Sequence, residues 1–239
     1  MALTVIKNWD KNNWLSSSNY IWNFNNFLAK NYKINQNSQI LDIGCGRGKI
    51  IGSLKTKFNL NNKPIGIDLI SHKDKDKRIN FKKIDAVSFF STNKKKFDLI
   101  LIKQTIHLLQ LKQIKNLINK MIHSLNPNGK IFILTLDPFK NEIPCFDLMK
   151  IKLLKSLKRD KKILRLISKL YSQTILKKFS YQVRITKKKY TDMISKRFMS
   201  TLLRFNSKQI VTGINQINLK YKKDLRFNDK LICIIIKNY

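Results

Sequence analysis

Between residues 39 and 137 apolar and polar positions alternate between two kinds of block. Short runs of four to six apolar residues stand between longer stretches with helical spacing. Gln39–Ile43 predicts a buried strand and Gly48–Lys57 the helix after it. Pro64–Leu69 and Ile79–Ile84 predict a second and a weaker third strand. Phe97–Ile102 (FDLILI) is a continuous apolar run bounded by charges, the pattern of a strand covered on both faces. Leu109–Leu125 places Leu111, Ile114, Leu117, Ile118, Met121 and Ile122 on one helical side. Asn126-Pro-Asn-Gly129 signals a turn, and Lys130–Leu136 a fifth strand. This β-α alternation predicts an α/β fold with a doubly wound, mostly parallel sheet.

The flanks read differently. Residues 1–37 are polar with interleaved aromatics (Trp9, Trp14, Tyr20, Trp22, Phe24, Phe27, Tyr32), and Ile21, Phe24, Phe27 and Leu28 recur at helical spacing. Ser16-Ser-Ser18 offers that helix a cap. The reading is an N-terminal helical flap over 1–37, followed by one main domain over 38–239. After Pro138, Phe146–Leu176 is rich in Leu, Ile and Lys at helical spacing and shows no strand signal, so 139–178 is read as a helical substrate-cap insert. Phe179–Ile185 and Asp229–Lys237 read as strands six and seven. Helices are expected near Lys188–Phe198 and Ser207–Tyr221 between them.

Composition narrows the class. A chain of 239 residues, 43% hydrophobic, suits one α/β domain with an insert. No apolar run approaches the roughly 20 residues of a membrane helix, so no membrane span is expected. The start has no basic head followed by a long apolar stretch, so no secretory signal is expected and the location is read as cytoplasmic. Cys45, Cys145 and Cys233 are odd in number and far apart, giving neither a disulfide framework nor a metal knuckle. The net charge of +35 points to an anionic partner such as nucleic acid. Against that, Lys, Asn and Ile dominate, all with A/T-rich codons, and the basic residues are scattered along the chain. Compositional drift explains much of this excess, although Glu142 is the only glutamate and that codon is A/T-rich too.

The chemistry concentrates in Leu41–Lys49, LDIGCGRGK. Three of the seven glycines occupy Gly44, Gly46 and Gly48, between a strand and a helix. Glycines there let the backbone turn sharply and approach a ligand, and the helix N-terminus offers free N–H groups. The spacing fails GxGxxG, because position 49 is lysine, and fails GxxxxGK[ST]. Asp68 ends the second strand about 20 residues on, where a ribose-binding acid belongs. Asp85 follows the third strand, and equally suits a helix N-cap at Ala86.

GxGxG preceded by Asp42 resembles motif I of class I S-adenosylmethionine-dependent methyltransferases, the small-molecule group of type 11/25-like domains. Asp98 opening strand four and the Leu125-Asn-Pro-Asn-Gly129 turn are similar to further landmarks of that family. The resemblance covers roughly residues 38–137 by order and spacing. Tyr190–Phe198 and the later helix look similar to the C-terminal part of small-molecule members. The resemblance implies a seven-stranded Rossmann-like methyltransferase fold with S-adenosylmethionine as cofactor and S-adenosylhomocysteine as product. It implies cofactor contacts from Asp42, Gly44, Cys45, Gly46, Asp68, Leu69, Asp85, Ala86 and Lys103. It also implies an acceptor side facing Tyr20, Gln104 and His107.

The implied reaction is an in-line methyl displacement in which positioning supplies most of the catalysis. His107 is the weak catalytic candidate, since its ordinary pKa lies near working pH, and a helix-packing role suits it as well. His72 and His123 read as solvated. Tyr20 and Trp14 either close over the cofactor or pack the flap onto the domain. Lys150–Lys169 is amphipathic and basic: a lid, a membrane-surface helix, or a cap with a solvated face.

No Asn/Asp-Pro-Pro-aromatic element follows strand four, where KQTIHL stands, which disfavours exocyclic-amine methylases. The single glutamate disfavours a protein-arginine methyltransferase. Ungrouped cysteines disfavour a thiol-based arsenite mechanism, unless Cys45 and Cys145 meet in space. The expected partner is a small-molecule acceptor, and no metal is expected. An RNA methyltransferase and a non-catalytic cofactor-fold module are the alternatives. The acceptor atom and oligomeric state stay open.

Overall fold

The computed structural model describes residues 13–237, so the first part of the expected flap, with Trp9, lies outside the described residues. The elements run α1 (Ser18–Asn31), β1 (Ile40–Ile43), α2 (Lys49–Lys57), β2 (Ile65–Asp68), β3 (Asn80–Lys83), α3 (Ala86–Thr92) and β4 (Phe97–Lys103). Then come α4 (Leu111–His123), β5 (Leu125–Leu136), α5 (Asp147–Leu170), β6 (Thr174–Ile185), α6 (Lys187–Ser195), α7 (Ser207–Lys220) and β7 (Leu225–Lys237). Short 3₁₀ turns occupy Trp14–Ser16, Ile106–Leu108 and Ser200–Leu202.

The strands form one sheet in the order β3-β2-β1-β4-β5-β7-β6. Pairs among β1 to β5 are parallel, whereas β7 runs antiparallel to both β5 and β6. The expected doubly wound, mostly parallel, seven-stranded sheet is therefore what the chain builds. Strand order reverses between β1 and β4, the switch point where such sheets open a crevice at their carboxyl ends.

Strand periodicity sorts the apolar side chains into two cores. Leu99, Leu101, Phe132, Leu134, Cys233 and Ile235 face one side, against α1, α2, α6 and α7. Ile100, Ile102, Ile131, Ile133, Ile232 and Ile234 face the other, against α4. The 24-residue α5 joins both. Its first half buries Met149, Leu153 and Leu157 in the first core, and its second half buries Ile163, Leu164 and Ile167 in the second. The helix also contacts the Ser200–Leu202 turn, α7, α4 and the Ile106–Leu108 turn. The helix thus arches over the carboxyl edge of the sheet.

Two expectations need correction. Thr174–Leu176 was expected in the cap helix, but α5 stops at Leu170 and Thr174 opens β6, so the helical insert ends before residue 178. The chain there keeps the Leu/Ile/Lys composition of the helix but pairs residue by residue with β7, Thr174 opposite Ile236. The Asn126–Gly129 turn is built as an irregularity inside β5, with Asn128 at φ 63°. The Asp98 carboxylate holds it, accepting from Asn126 Nδ2 (2.9 Å) and from Gln39 N (2.6 Å). This acid therefore braces the amino edge of the sheet.

The flap helix is integral rather than appended. Ser17 caps it, accepting from Tyr20 N, and Tyr20, Phe24 and Leu28 lie fully buried in the first core.

Asp160, on α5, is buried and its Oδ1 finds no hydrogen-bond partner. Burial pushes its pKa up to about 7, against the pull of Arg159. The unfolded carboxyl ionises near its ordinary value, so ionising it in the fold costs progressively more as pH rises from about 4 to 7. Asp160→Asn is expected to stabilise the chain by about 1–3 kcal/mol at pH 8 and by much less at pH 4.5. Thermal unfolding at the two pH values checks this, and an equal shift at both would contradict it.

Candidate functional site

The glycine loop begins where β1 ends. Gly44, Gly46 and Gly48 have φ of 74°, 54° and 69°, all in the left-handed region that other residues resist. A Cβ on Gly44 would stand 2.2 Å from Thr105 Oγ1, and one on Gly48 would stand 2.1 Å from Ile79 Cδ1. The loop is stapled to β2, since Gly44 N and Cys45 N both donate to Ile67 O (2.8 and 3.1 Å). The Cys45 thiol turns inward against Gly66, and burial pushes its pKa far up. Only the Cys45 backbone is left to face a ligand. Cys145 lies apart, near Tyr190 and Tyr221, so the two thiols do not meet.

Asp68 ends β2 beside this loop. Its Oδ2 accepts from Gly46 N (2.8 Å) and its Oδ1 from Ile70 N (3.0 Å). Each oxygen keeps a lone pair for a hydroxyl donor. Leu69 beside it is 55% exposed. Asp85 caps α3, accepting from Ser88 N (2.9 Å) and Ser88 Oγ (2.6 Å), with Ala86 opening the helix. These bonds hold its carboxyl below the usual range.

Arg47 points away from the crevice. Its Nε bonds Asp74 Oδ1 (2.8 Å) and its carbonyl accepts from Asp76 N, latching the 69–78 segment onto the loop. His72 lies in that segment and is buried, not solvated as expected from its polar neighbours. Burial and the nearby Arg47 charge lower its pKa. His123 is exposed, as expected.

Behind the crevice lies a charged cluster. Asp42 is buried, and burial pushes its pKa up to about 7, Lys103 opposing and Asp68 adding. Lys103 Nζ sits over the rings of Tyr20 (5.1 Å) and Phe24 (5.6 Å). Burial pulls its pKa down while Asp229 and Asp42 pull it back. Asp229 on β7 is almost fully buried and accepts from Trp14 Nε1 (3.0 Å). Trp14 and Tyr20 therefore pack the N-terminal segment onto the domain; they do not form an open lid. Tyr20, expected to face the acceptor, directs its ring into the core against Phe179 and Tyr181.

Gln104 and His107 follow β4 at the carboxyl edge. Gln104 has φ 53°, a strained value for a non-glycine, and its N–H is held by Leu134 O (2.8 Å). Burial, with Arg159 adding, pushes His107 down to about 4, so its imidazole is neutral at working pH. Among the described residues no His/Cys/Asp/Glu group is arranged to hold a metal.

Glycine turn, strand-end acid and helix-capping acid stand at the carboxyl ends of the neighbouring parallel strands β1, β2 and β3. A methyltransferase-domain family model matches residues 40–129. Over those residues, well under half of its length, the chain is similar to methyltransferase domains. Solved methyltransferases share the fold. The plantazolicin methyltransferase BamL, in complex with a triazolic desmethylPZN analog and SAH, is 20% identical with a TM-score of 0.55, over 97% of this chain and 88% of that one. Haemonchus contortus phosphoethanolamine N-methyltransferase 2 is 16% identical with a TM-score of 0.51, over 91% of this chain and 53% of that one. The plantazolicin methyltransferase BpumL, with a monoazolic analog and SAH, is 18% identical with a TM-score of 0.50, over 92% and 82%. No curated protein matches by sequence.

Sequence reasoning missed Asp229 and the Arg47–Asp74 latch. An acid on the inward side of an otherwise apolar strand was the available signal for Asp229.

Proposed function

We propose that this domain methylates a small-molecule acceptor, seated on the carboxyl edge of the sheet beside Gln104 and His107. The roof over that edge carries the reading. α5, with one half in each core, crosses that edge beside Leu109, whose carbonyl accepts from Arg159, and this cover favours a small acceptor over a macromolecular groove.

The Gly44–Gly46 backbone and Asp68 fit the donor, because the loop's curvature excludes a Cβ at Gly44 and the Asp68 oxygens keep lone pairs for ribose hydroxyls. Asp85 and Ala86 are assigned to the adenine end, Leu69 to the nucleoside face. S-adenosylmethionine supplies an activated methyl on a neutral leaving group. What the chain must add is alignment, which is worth most of the rate. Gln104 contributes a polar side chain from a backbone held rigid by Leu134. His107, pushed down to about 4 by burial, is a weak base at working pH, so its place in the site is to position the acceptor rather than to take its proton. Asp42 and Lys103 lie behind the loop, and their role is to hold it.

Asp68→Ala is expected to weaken S-adenosylhomocysteine binding by about 1–3 kcal/mol, the scale of a lost hydrogen-bond partner. Equilibrium binding measures this, and an unchanged affinity removes Asp68 from the site. The acceptor class is tested with tritium-labelled donor. Label entering a small-metabolite extract and not RNA supports the reading. Label entering RNA alone, with steeply salt-dependent binding, overturns it.

A further inference from the structure

The roof over the active edge has an outer surface with its own pattern. In the first half of α5, Leu148, Ile151 and Leu154 are 43%, 50% and 50% exposed. They stand among four exposed lysines, Lys150, Lys152, Lys155 and Lys158. No acid interrupts the stretch from Leu148 to Arg159. Two more exposed apolar side chains flank this helix at the mouth of the crevice. Phe139, just after β5, is 64% exposed and lies under Lys161 Nζ (5.0 Å). Leu108, just after β4, is 56% exposed, in the turn whose Leu109 carbonyl accepts from Arg159.

From this we propose that the outer face of α5, with Phe139 and Leu108, docks the protein on an anionic lipid surface. The inner face of the helix already has its partners in both cores, so the outer pattern is left over after folding. Aliphatic side chains on the same face as lysines, without intervening acids, make an interfacial helix: the aliphatics enter the headgroup boundary and the lysine stems lie along it, ammonium groups outward. A nucleic-acid groove would present aromatic platforms and arginine forks. Here the helix offers leucine, isoleucine and lysine. No described helix is long and apolar enough to cross a membrane, so this contact is peripheral. Resting on the reading of the carboxyl edge as the acceptor side, the docked face turns the crevice toward the bilayer, which suits an amphiphilic small-molecule acceptor partitioned there.

The test is sedimentation of the full chain with sucrose-loaded vesicles, of phosphatidylcholine alone or with about 40 mol% phosphatidylglycerol. Binding is expected to the anionic vesicles only, falling as salt rises. The paired substitution Ile151→Asp and Leu154→Asp, at half-exposed positions, is expected to weaken it about tenfold. Lys152→Glu with Lys155→Glu provides a second variant that leaves every apolar residue in place, with the same expectation. No binding to anionic vesicles overturns the proposal, as does binding that neither pair weakens. Salt-sensitive binding to an oligouridylate without vesicle binding overturns it in favour of RNA. S-adenosylhomocysteine titrated into the same preparation tests the donor site separately, so failure of the surface and failure of the methyltransferase reading are distinguishable.

Discussion

Lys103→Met is expected to destabilise the folded chain by about 2–4 kcal/mol at pH 8, below the full cost of breaking a contact ion pair because the charges lie within reach rather than in contact. The lysine is the cation facing two buried carboxylates, Asp42 and Asp229, and its ammonium rests on the Tyr20 and Phe24 rings. Methionine fills similar space but brings no charge. Burial already raises both acids, and Lys103 opposes that rise. Without the cation both folded-state pKa values climb further. A raised carboxyl pKa destabilises the fold as pH passes upward from the unfolded value to the folded one. The loss should therefore shrink at pH 5.5, where protonation relieves it. Asp229→Asn in the same chain should recover part of the loss, because the amide oxygen still accepts from Trp14 Nε1. Urea unfolding of the single and double variants at the two pH values decides the matter. A loss independent of pH would mean that Lys103 acts through packing alone.

Gly44→Ala carries the second large effect. At φ 74° an alanine is strained, and its Cβ would meet Thr105 Oγ1 at 2.2 Å and Thr105 Cγ2 at 2.5 Å. Threonine is short and branched, so the contact is relieved only by moving the loop or the turn after β4. Left-handed strain plus overpacking adds to about 2–4 kcal/mol. If the loop moves to relieve it, the Asp68 and Gly46 geometry is lost with it. Affinity for S-adenosylhomocysteine should fall by about 100-fold, the equivalent of about 2.7 kcal/mol. Gly48→Ala is the comparison: its clash falls on the tip of the longer Ile79 side chain, so the loss should be smaller. Equal losses at both positions would mean that the Thr105 contact does not decide the loop's shape.

The shape of the glycine loop was readable in the chain because its signals are local. Asp42 lies in β1, Gly44 and Gly46 follow that strand and Asp68 ends β2, and a left-handed turn announces itself through glycine. Asp85 was readable only as an ambiguity, and in the fold it does cap its helix. The Lys103 cluster was not readable. Trp14, Tyr20, Asp42, Lys103 and Asp229 come from five segments across more than two hundred residues, and no period links them. Burial of His72 was hidden for the same reason, since its loop is polar until Arg47 folds it down. The start of β6 was misread because TILKK has the composition of the helix before it, and five residues do not separate a period of 2 from one of 3.6. The net charge of +35 suggested a partner without locating one. Burial along α5 shows which of those lysines stand beside exposed aliphatic residues.

Calorimetric titration of S-adenosylhomocysteine into the full chain tests the donor site most directly. Saturable one-to-one binding, weakened by Asp68→Ala, is the predicted result. Absence of binding to a chain that is folded by circular dichroism would contradict the account.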